Sequence, residues 1–287
     1  MLIKESIDLH IHSTFSDGKL TPYEIVKLAK SLGITVIALT DHDSTDGINE
    51  AMEYAEKFGV TVIPGVELSV AYKNYKDIHL LGYYIDPSDV VLHNKLKSLQ
   101  KARKDRAIKI IDRINEKLID NNYNPLDRDE IFNSTDGAIG RPHIAHALVK
   151  RNYAASMQDA FLKYLEPCNI PKKYFPFQEA VSEIKRVGGI PVLAHPQSIS
   201  RDKAVITTII MDMVKQGIEG IEAINPMGTA DEELFLRKLA NNLGIIVTGG
   251  SDFHGEPGTT LGQGYGNLRI EYDLFTNLLK VKEQCGV

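Results

Sequence analysis

Short apolar runs alternate along the chain with segments of helical spacing. Ile7 to Ile11 places apolar and polar residues in strict alternation, which predicts a strand. Between Pro22 and Leu32 the apolar Ile25, Val26, Leu28 and Ala29 recur at helical spacing. Thr21 is suited to cap that helix, Pro22 to open it and Gly33 to stop it. Thr35 to Leu39 predicts the next strand and Gly47 to Phe58 the next helix. Val60 to Ile63, Glu67 to Ala71 and Ile78 to Tyr84 read as extended, before Pro87.

The pattern then changes. Val90 to Leu118 is long, helical and basic, and a second helical group covers Ile139 to Tyr164. NNYNPLDRD and EPCNIPKKYFP read as loops between and after them. This block lacks strand alternation and predicts a helical insertion over residues 89–173. Alternation resumes with helices at Phe177 to Val187, Ile206 to Gln216, Ala230 to Leu243 and Tyr272 to Glu283. Strands are expected at Ile190 to Ala194, Ile218 to Ile224 and Ile245 to Thr248. Strands and helices in this rhythm imply an α/β fold with a mainly parallel sheet or barrel of seven core strands.

The 287 residues suffice for one large domain with an insertion, and 43% hydrophobic with 25% charged residues is an ordinary globular composition. A net charge of −5 gives no general attraction to polyanions. It argues against a broad nucleic-acid surface but permits one nucleotide or a strand end in a pocket. The basic stretch Lys95 to Lys109 alternates with Asp105 and precedes Asp112, and reads as a solvated helix face. No apolar run approaches the roughly 18 residues of a membrane span, and the N-terminal MLIKESIDLHIHS lacks a signal-peptide core. Cys168 and Cys285 stand in no metal-like spacing and read as free or buried thiols. These features predict a cytoplasmic protein with no membrane association and no obligatory protein partner.

The candidate chemistry lies where histidines and carboxylates meet strand ends. Six of the nine histidines fall there: His10, His12, His42, His79, His195 and His254. In a parallel α/β barrel that edge carries the functional site. His10 and His12 are two apart on a strand, so their rings share a face and suit one divalent ion. Asp17 reads on its own as a turn aspartate before Gly18. In ALTDHDSTDG, Asp43 or Ser44 can cap the next helix, whereas a cap has no use for His42. Glu67 lies inside an apolar run, where an unpaired carboxylate is costly to bury. A metal would account for it, as would an Arg or Lys partner. His79 precedes an apolar run, His195 closes one, and Asp252 and His254 follow the last strand. Their joint placement at one edge predicts a multinuclear metal site. Asp8, Asp41 and Asp43 are expected either to orient metal-bound histidines or to cap and turn.

Together DLHIHSTFSDG, TDHD, PGVE, the histidine of IHLLGY, AHP and GSDFH resemble the PHP family, the polymerase and histidinol phosphatase domains. They span Asp8 to His254 in the family's order. The resemblance implies a distorted (β/α)7 barrel formed by residues 1–88 and 174–287. It also implies three divalent ions, Mn2+ foremost, with Zn2+, Fe2+ and Mg2+ as alternatives. Carried over by residue, His10, His12, Glu67 and Asp252 would hold one ion. Glu67 would bridge to a second, with His79 and His195, and Asp17, His42 and His254 would hold the third. The insertion and GRPHIA (Gly140 to Ala145) resemble a bacterial branch that acts on nucleoside 3',5'-bisphosphates and trims short RNA from its 5' end. In that branch Arg141 and His143 would contact substrate, although both also suit an ordinary helix start. His146 and His93 are expected to be structural or surface residues.

The expected activity is therefore hydrolysis of a phosphate monoester on a small phosphorylated substrate, a nucleotide or short RNA. Histidinol-phosphate hydrolysis is the competing enzymatic reading. A non-catalytic nucleotide-binding module is the competing reading of another class, and C–N bond hydrolysis is a third. Asp17, His42, His254 and the arginine of GRPH favour phosphate.

Overall fold

A computed structural model describes residues 6–133, 139–266 and 268–284. Two compact units emerge. The first comprises the chain up to Lys95 together with Tyr174 onward, and the second comprises Leu96–Lys173.

In chain order the first unit opens with β1 (Ser6–Ile11), α1 (Pro22–Ser31), β2 (Ile34–Leu39), α2 (Ile48–Phe58), β3 (Thr61–Tyr72) and β4 (Tyr75–Tyr83). Helix α3 (Val90–Asp120) leads into α4 (Arg128–Phe132), α5 (Arg141–Lys150) and α6 (Met157–Ala160). A π turn at Phe161–Leu165 follows. The short β5 (Phe175–Pro176) then leads to α7 (Phe177–Arg186), β6 (Ile190–Leu193), α8 (Lys203–Lys215), β7 (Gly220–Ile224), α9 (Ala230–Leu243), β8 (Ile246–Gly249) and α10 (Tyr272–Gln284). The expected start of α1 is present as a capping box between Thr21 and Glu24 with Pro22 in the first turn.

The central sheet runs β1-β2-β3-β4-β6-β7-β8, with β5 beside β3. It is mixed: β4 lies antiparallel to both β3 and β6, and the remaining pairs are parallel. The two extended stretches expected around Pro64 form one continuous strand. Only Lys73 and Asn74 separate β3 from β4, too few residues for a crossover, so the chain must return antiparallel. Lys73 makes the reversal with φ of +52°. After β8 the chain returns to β1, where His12 N–H donates to Phe253 O at 2.9 Å and Phe253 N–H to His10 O at 3.2 Å.

Every residue from Ile7 to Ser13 is buried, so both faces of β1 are covered. Ile7 and Leu9 join Val36, Ala38, Ile63, Leu81, Tyr83, Ile190 and Val192 in an apolar cluster closed by Leu274 and Leu278 of α10. Alternation directs Asp8, His10 and His12 the opposite way.

The helical unit has its own core. Ile110, Ile111, Ile114 and Leu118 of α3 pack with Ile144, Ala145 and Leu148 of α5 and with Leu165. The stretch expected to be loop before it contains α4, capped by Asp127, whose carboxylate accepts from the N–H groups of Asp129 and Glu130. Cations of α3 bind loop carbonyls: Arg113 donates to Asn169 O at 3.0 Å and Lys117 to Lys163 O at 2.6 Å. Cys168 is buried in this unit as a free thiol, and Cys285 lies outside the described residues.

Gly250, just beyond β8, marks how closely β1 is approached. A Cβ there would lie 2.1 Å from His10 Cβ and 2.6 Å from His10 N. Gly250→Ala should therefore destabilise the protein by roughly 1–3 kcal/mol or more, read from urea midpoints at constant m-value. An unchanged midpoint would contradict this packing.

Candidate metal centre

Six strands and the segments that follow them deliver the polar side chains. His10 and His12 come from the end of β1, His42 follows β2, His195 follows β6, and Asp252 and His254 follow β8. His79 differs from the strand-end expectation, since it lies within β4, while Glu67 lies inside β3 as its apolar run implied. They reach the same edge because β3 outruns β2. The β2–β3 register ends at Leu39↔Pro64, and beyond it Asp43 N–H donates to Glu67 O at 2.8 Å. Antiparallel pairing then sets His79 opposite Ser69.

The other eight candidate side chains gather around the fully buried Glu67 carboxylate. Glu67 Oε2 lies 3.3 Å from His10 Nε2, 3.2 Å from His12 Nε2 and 2.9 Å from His42 Nδ1. Glu67 Oε1 lies 3.0 Å from His79 Nδ1 and 3.2 Å from His195 Nε2. Asp252 Oδ1 is 3.4 Å from His10 Nε2 and 3.2 Å from His12 Nε2. Asp17 Oδ1 is 3.2 Å from His254 Nε2, and Asp17 Oδ2 is 3.9 Å from His42 Nε2.

Three clusters able to hold metal ions result: His10, His12, Glu67 and Asp252; His12, Asp17, His42 and His254; and His42, Glu67 and His79. His195 completes a tight triangle with Glu67 and His79, its Nε2 standing 3.3 Å from His79 Nδ1. The clusters share members: His12 reaches the Asp17 group and His42 reaches the Glu67–His79 group. The donor set fits divalent cations on independent grounds. His10 Nε2, His12 Nε2, His42 Nδ1, Asp17 Oδ1 and Glu67 Oε2 are buried without a hydrogen-bond partner. Each such orphan costs about 1–3 kcal/mol, and five converging on one region suit cations that accept their lone pairs.

The electrostatics agree. Burial disfavours charge on His10, yet Glu222, Glu67 and Asp252 hold its pKa well above the ordinary value. Burial likewise opposes charge on His12, but the neighbouring Asp252 and Glu67 carboxylates raise its pKa to about 10. His42 is pushed down to about 4 by burial, against the pull of Glu67 and Asp17. For Glu67, burial raises the pKa, but His42, His79 and His10 hold the carboxyl well below the usual range. Without metal, protons balance the carboxylates.

The supporting aspartates act mainly through backbone. Asp8 accepts from Ser251 N–H at 2.8 Å, Gly262 N–H at 2.7 Å, His10 N–H at 3.3 Å and the Ser251 hydroxyl. It thus fixes the strand rather than an imidazole. Burial pushes its pKa up to about 6 against these donors. Asp41 accepts from Ser13 N–H and Oγ, at 2.7 and 2.6 Å, and from Ser16 Oγ, which stands 3.4 Å from His12 Nδ1. Asp43 accepts from Ser69 N–H at 3.0 Å. Asp43, His195 and Asp252 all hold positive φ, backbone strain concentrated at the centre.

Arg141 and His143 belong to the helical unit, in the first turn of α5. The Arg141 guanidinium stands 5.6 Å from the Phe161 ring centroid, and His143 Nδ1 accepts from Gly140 N–H at 3.0 Å. His146 is exposed, and His93 Nδ1 lies 3.7 Å from Asp46. One residue escaped the sequence reading. Glu222 of β7 is fully buried beside His10, 2.9 Å from its Nδ1. Its signal was legible: like Glu67, it is a carboxylate inside an apolar strand.

Comparison with known proteins agrees with this geometry. The PHP domain model matches residues 8–174. A 3',5'-nucleoside bisphosphate phosphatase from Chromobacterium violaceum is 32% identical over 271 residues, covering 90% of each chain. A 5'-3' exoribonuclease from Haemophilus influenzae is 32% identical over 250 residues, covering 86% of this chain and 89% of its own. A structure from Bifidobacterium adolescentis, assigned as a metal-dependent phosphoesterase, superimposes with a TM-score of 0.81 at 27% identity. That match covers 99% of this chain and 97% of the other.

Metal binding should release protons. At pH 7.5 His12 still carries its proton, because its pKa is about 10, and a metal requires the lone pair. Calorimetric titration of metal-free protein with Mn2+ in buffers of different ionisation enthalpy should show net proton release. Affinity should rise with pH, and heats independent of buffer would contradict the expectation.

Proposed function

The chain belongs to the PHP-domain family of metal-dependent phosphoric ester hydrolases, and on that premise we propose that it removes the 3'-phosphate from nucleoside 3',5'-bisphosphates and trims short RNA from the 5' end. The observation that carries the hydrolytic reading is the gathering of eight ligand-type side chains around Glu67, with five orphaned buried atoms in the group. The nucleotide assignment is supported by the relatives named for bisphosphate and RNA substrates.

We assign three divalent ions, manganese foremost. His10, His12, Glu67 and Asp252 would hold the first; Glu67, His79 and His195 the second; Asp17, His42 and His254 the third. Such ions, when bound, lower the pKa of water and neutralise charge on a phosphoryl group. The chain's own residues prepare the site. Glu67 offers one oxygen to His10, His12 and His42, and the other to His79 and His195. Asp41, through Ser16, steadies His12. Arg141 would grip phosphate oxygens with its planar fork. His143 would donate a hydrogen bond from Nε2 to a substrate oxygen, because its Nδ1 accepts from Gly140 N–H, which leaves the ring proton on Nε2. The sheet would close as a distorted (β/α)7 barrel, supported by the bonds between Phe253 and β1. Residues 89–173 would form its insertion domain, and the protein would work in the cytoplasm.

A panel with Mn2+ tests the substrate: adenosine 3',5'-bisphosphate, 5'-AMP, a short 5'-phosphorylated RNA and histidinol phosphate. The bisphosphate should give the highest kcat/KM, and preference for histidinol phosphate would replace the assignment. Glu67→Ala and His42→Ala should each lower kcat/KM by about 10³-fold or more, several kcal/mol of transition-state stabilisation. Arg141→Ala should lower kcat/KM by at least about tenfold, chiefly through KM. Wild-type rates in all three variants would contradict the site.

A further inference from the structure

Glu222 lies in the middle of β7 with no exposed surface. Both carboxylate oxygens are engaged. Oε1 stands 2.9 Å from His10 Nδ1, and Oε2 accepts from the backbone N–H of His195 at 2.9 Å. The two partners enter different ligand groups. His10 Nε2 faces Glu67 Oε2 at 3.3 Å and Asp252 Oδ1 at 3.4 Å. His195 Nε2 faces Glu67 Oε1 at 3.2 Å and His79 Nδ1 at 3.3 Å.

We infer that Glu222 is a positioning residue that serves two metal groups at once. It fixes the tautomer of His10 and anchors the backbone that presents His195. This rests on the reading that His10 and His195 hold metal. A carboxylate accepting at Nδ1 keeps the His10 proton there and turns the Nε2 lone pair toward Glu67 and Asp252. The second bond holds His195 at φ +24°, a strained conformation that persists only where its surroundings impose it. Ser198 Oγ, 3.1 Å from His195 Nδ1, fixes the ring from its other side. The residue type follows from this geometry. Two N–H groups point at the two oxygens, and only a carboxylate accepts from both. Glutamine at this position has two orientations. One sets its amide N–H against His10 Nδ1, which moves the ring proton to Nε2 and removes a metal ligand. The other sets the amide N–H against His195 N–H, leaving two donors face to face.

The test is Zn2+ titration of the metal-free full-length protein, wild type against Glu222→Gln. The variant should keep the metal-free melting temperature within a few degrees and bind its tightest Zn2+ 10- to 100-fold more weakly, on the order expected for a lost partner behind a ligand. Equal Zn2+ affinity in a folded variant overturns the inference and leaves the metal reading intact. Wild-type protein that binds no Zn2+ overturns the metal reading itself. Should Glu222→Gln fail to fold, 15N spectra of the histidines in Zn2+-loaded wild type decide. Proton on Nδ1 and metal on Nε2 of His10 support the inference, and the reverse arrangement overturns it.

Discussion

The Glu67 carboxylate is a charge with no solvent, held inside a strand, with five imidazole nitrogens 2.9–3.3 Å from its two oxygens. Burying an isolated carboxylate is prohibitive, so the fold must supply cationic or metal partners from several directions. Those partners come from β1, β4 and the segments after β2 and β6, which ties the geometry of the sheet to one side chain. A one-residue slip of β3 would turn Glu67 to the opposite face and leave the histidines facing apolar surface.

The sheet meets this demand by changing its pairing. β3 runs parallel to β2 as far as Pro64 and antiparallel to β4 from Gly65. The change lets β3 extend beyond its parallel neighbour and carry Glu67 past the end of β2. Gly65 stands at the switch because there is no room for a side chain: a Cβ would meet Thr40 Cγ2 at 2.8 Å and Leu39 O at 3.0 Å. Behind the ligands, Asp8, Asp41, Asp43 and Glu222 accept backbone N–H groups from Ser251, Ser13, Ser69 and His195 respectively. The segments that carry the candidate ligands are thereby fixed by buried carboxylates rather than by apolar packing alone.

The helical unit is organised on different terms. Its core is an aliphatic stripe on α3 packed against α5, and several basic side chains bind loop carbonyls or acidic neighbours. Residues 96–173 contain fifteen Lys and Arg against ten Asp and Glu, in a chain whose net charge is −5. The acidic excess therefore lies in the unit that gathers the carboxylates, where bound cations would offset it.

The sequence by itself determined which residues could do chemistry and roughly where the elements lie. Metal ligation draws on few side-chain types, and strand ends punctuate apolar runs, so eight candidate ligands stood out before any coordinate was known, and Asp17 joined them through the family resemblance. Strand pairing was not legible in the same way. That β4 turns back antiparallel depends on a two-residue reversal at Lys73–Asn74, which carries neither Gly nor Pro to announce it. Glu222 shows the same limit. A buried glutamate in an apolar strand is visible in the sequence, but its two acceptors meet His10, 212 positions away, and the backbone of His195. Only the tertiary structure decides which partners a buried charge finds, because they arrive from strands distant in sequence. For the same reason only the structure shows His12 and His42 each within reach of two ligand groups: local pattern sets the side a residue faces, while convergence belongs to the sheet as a whole.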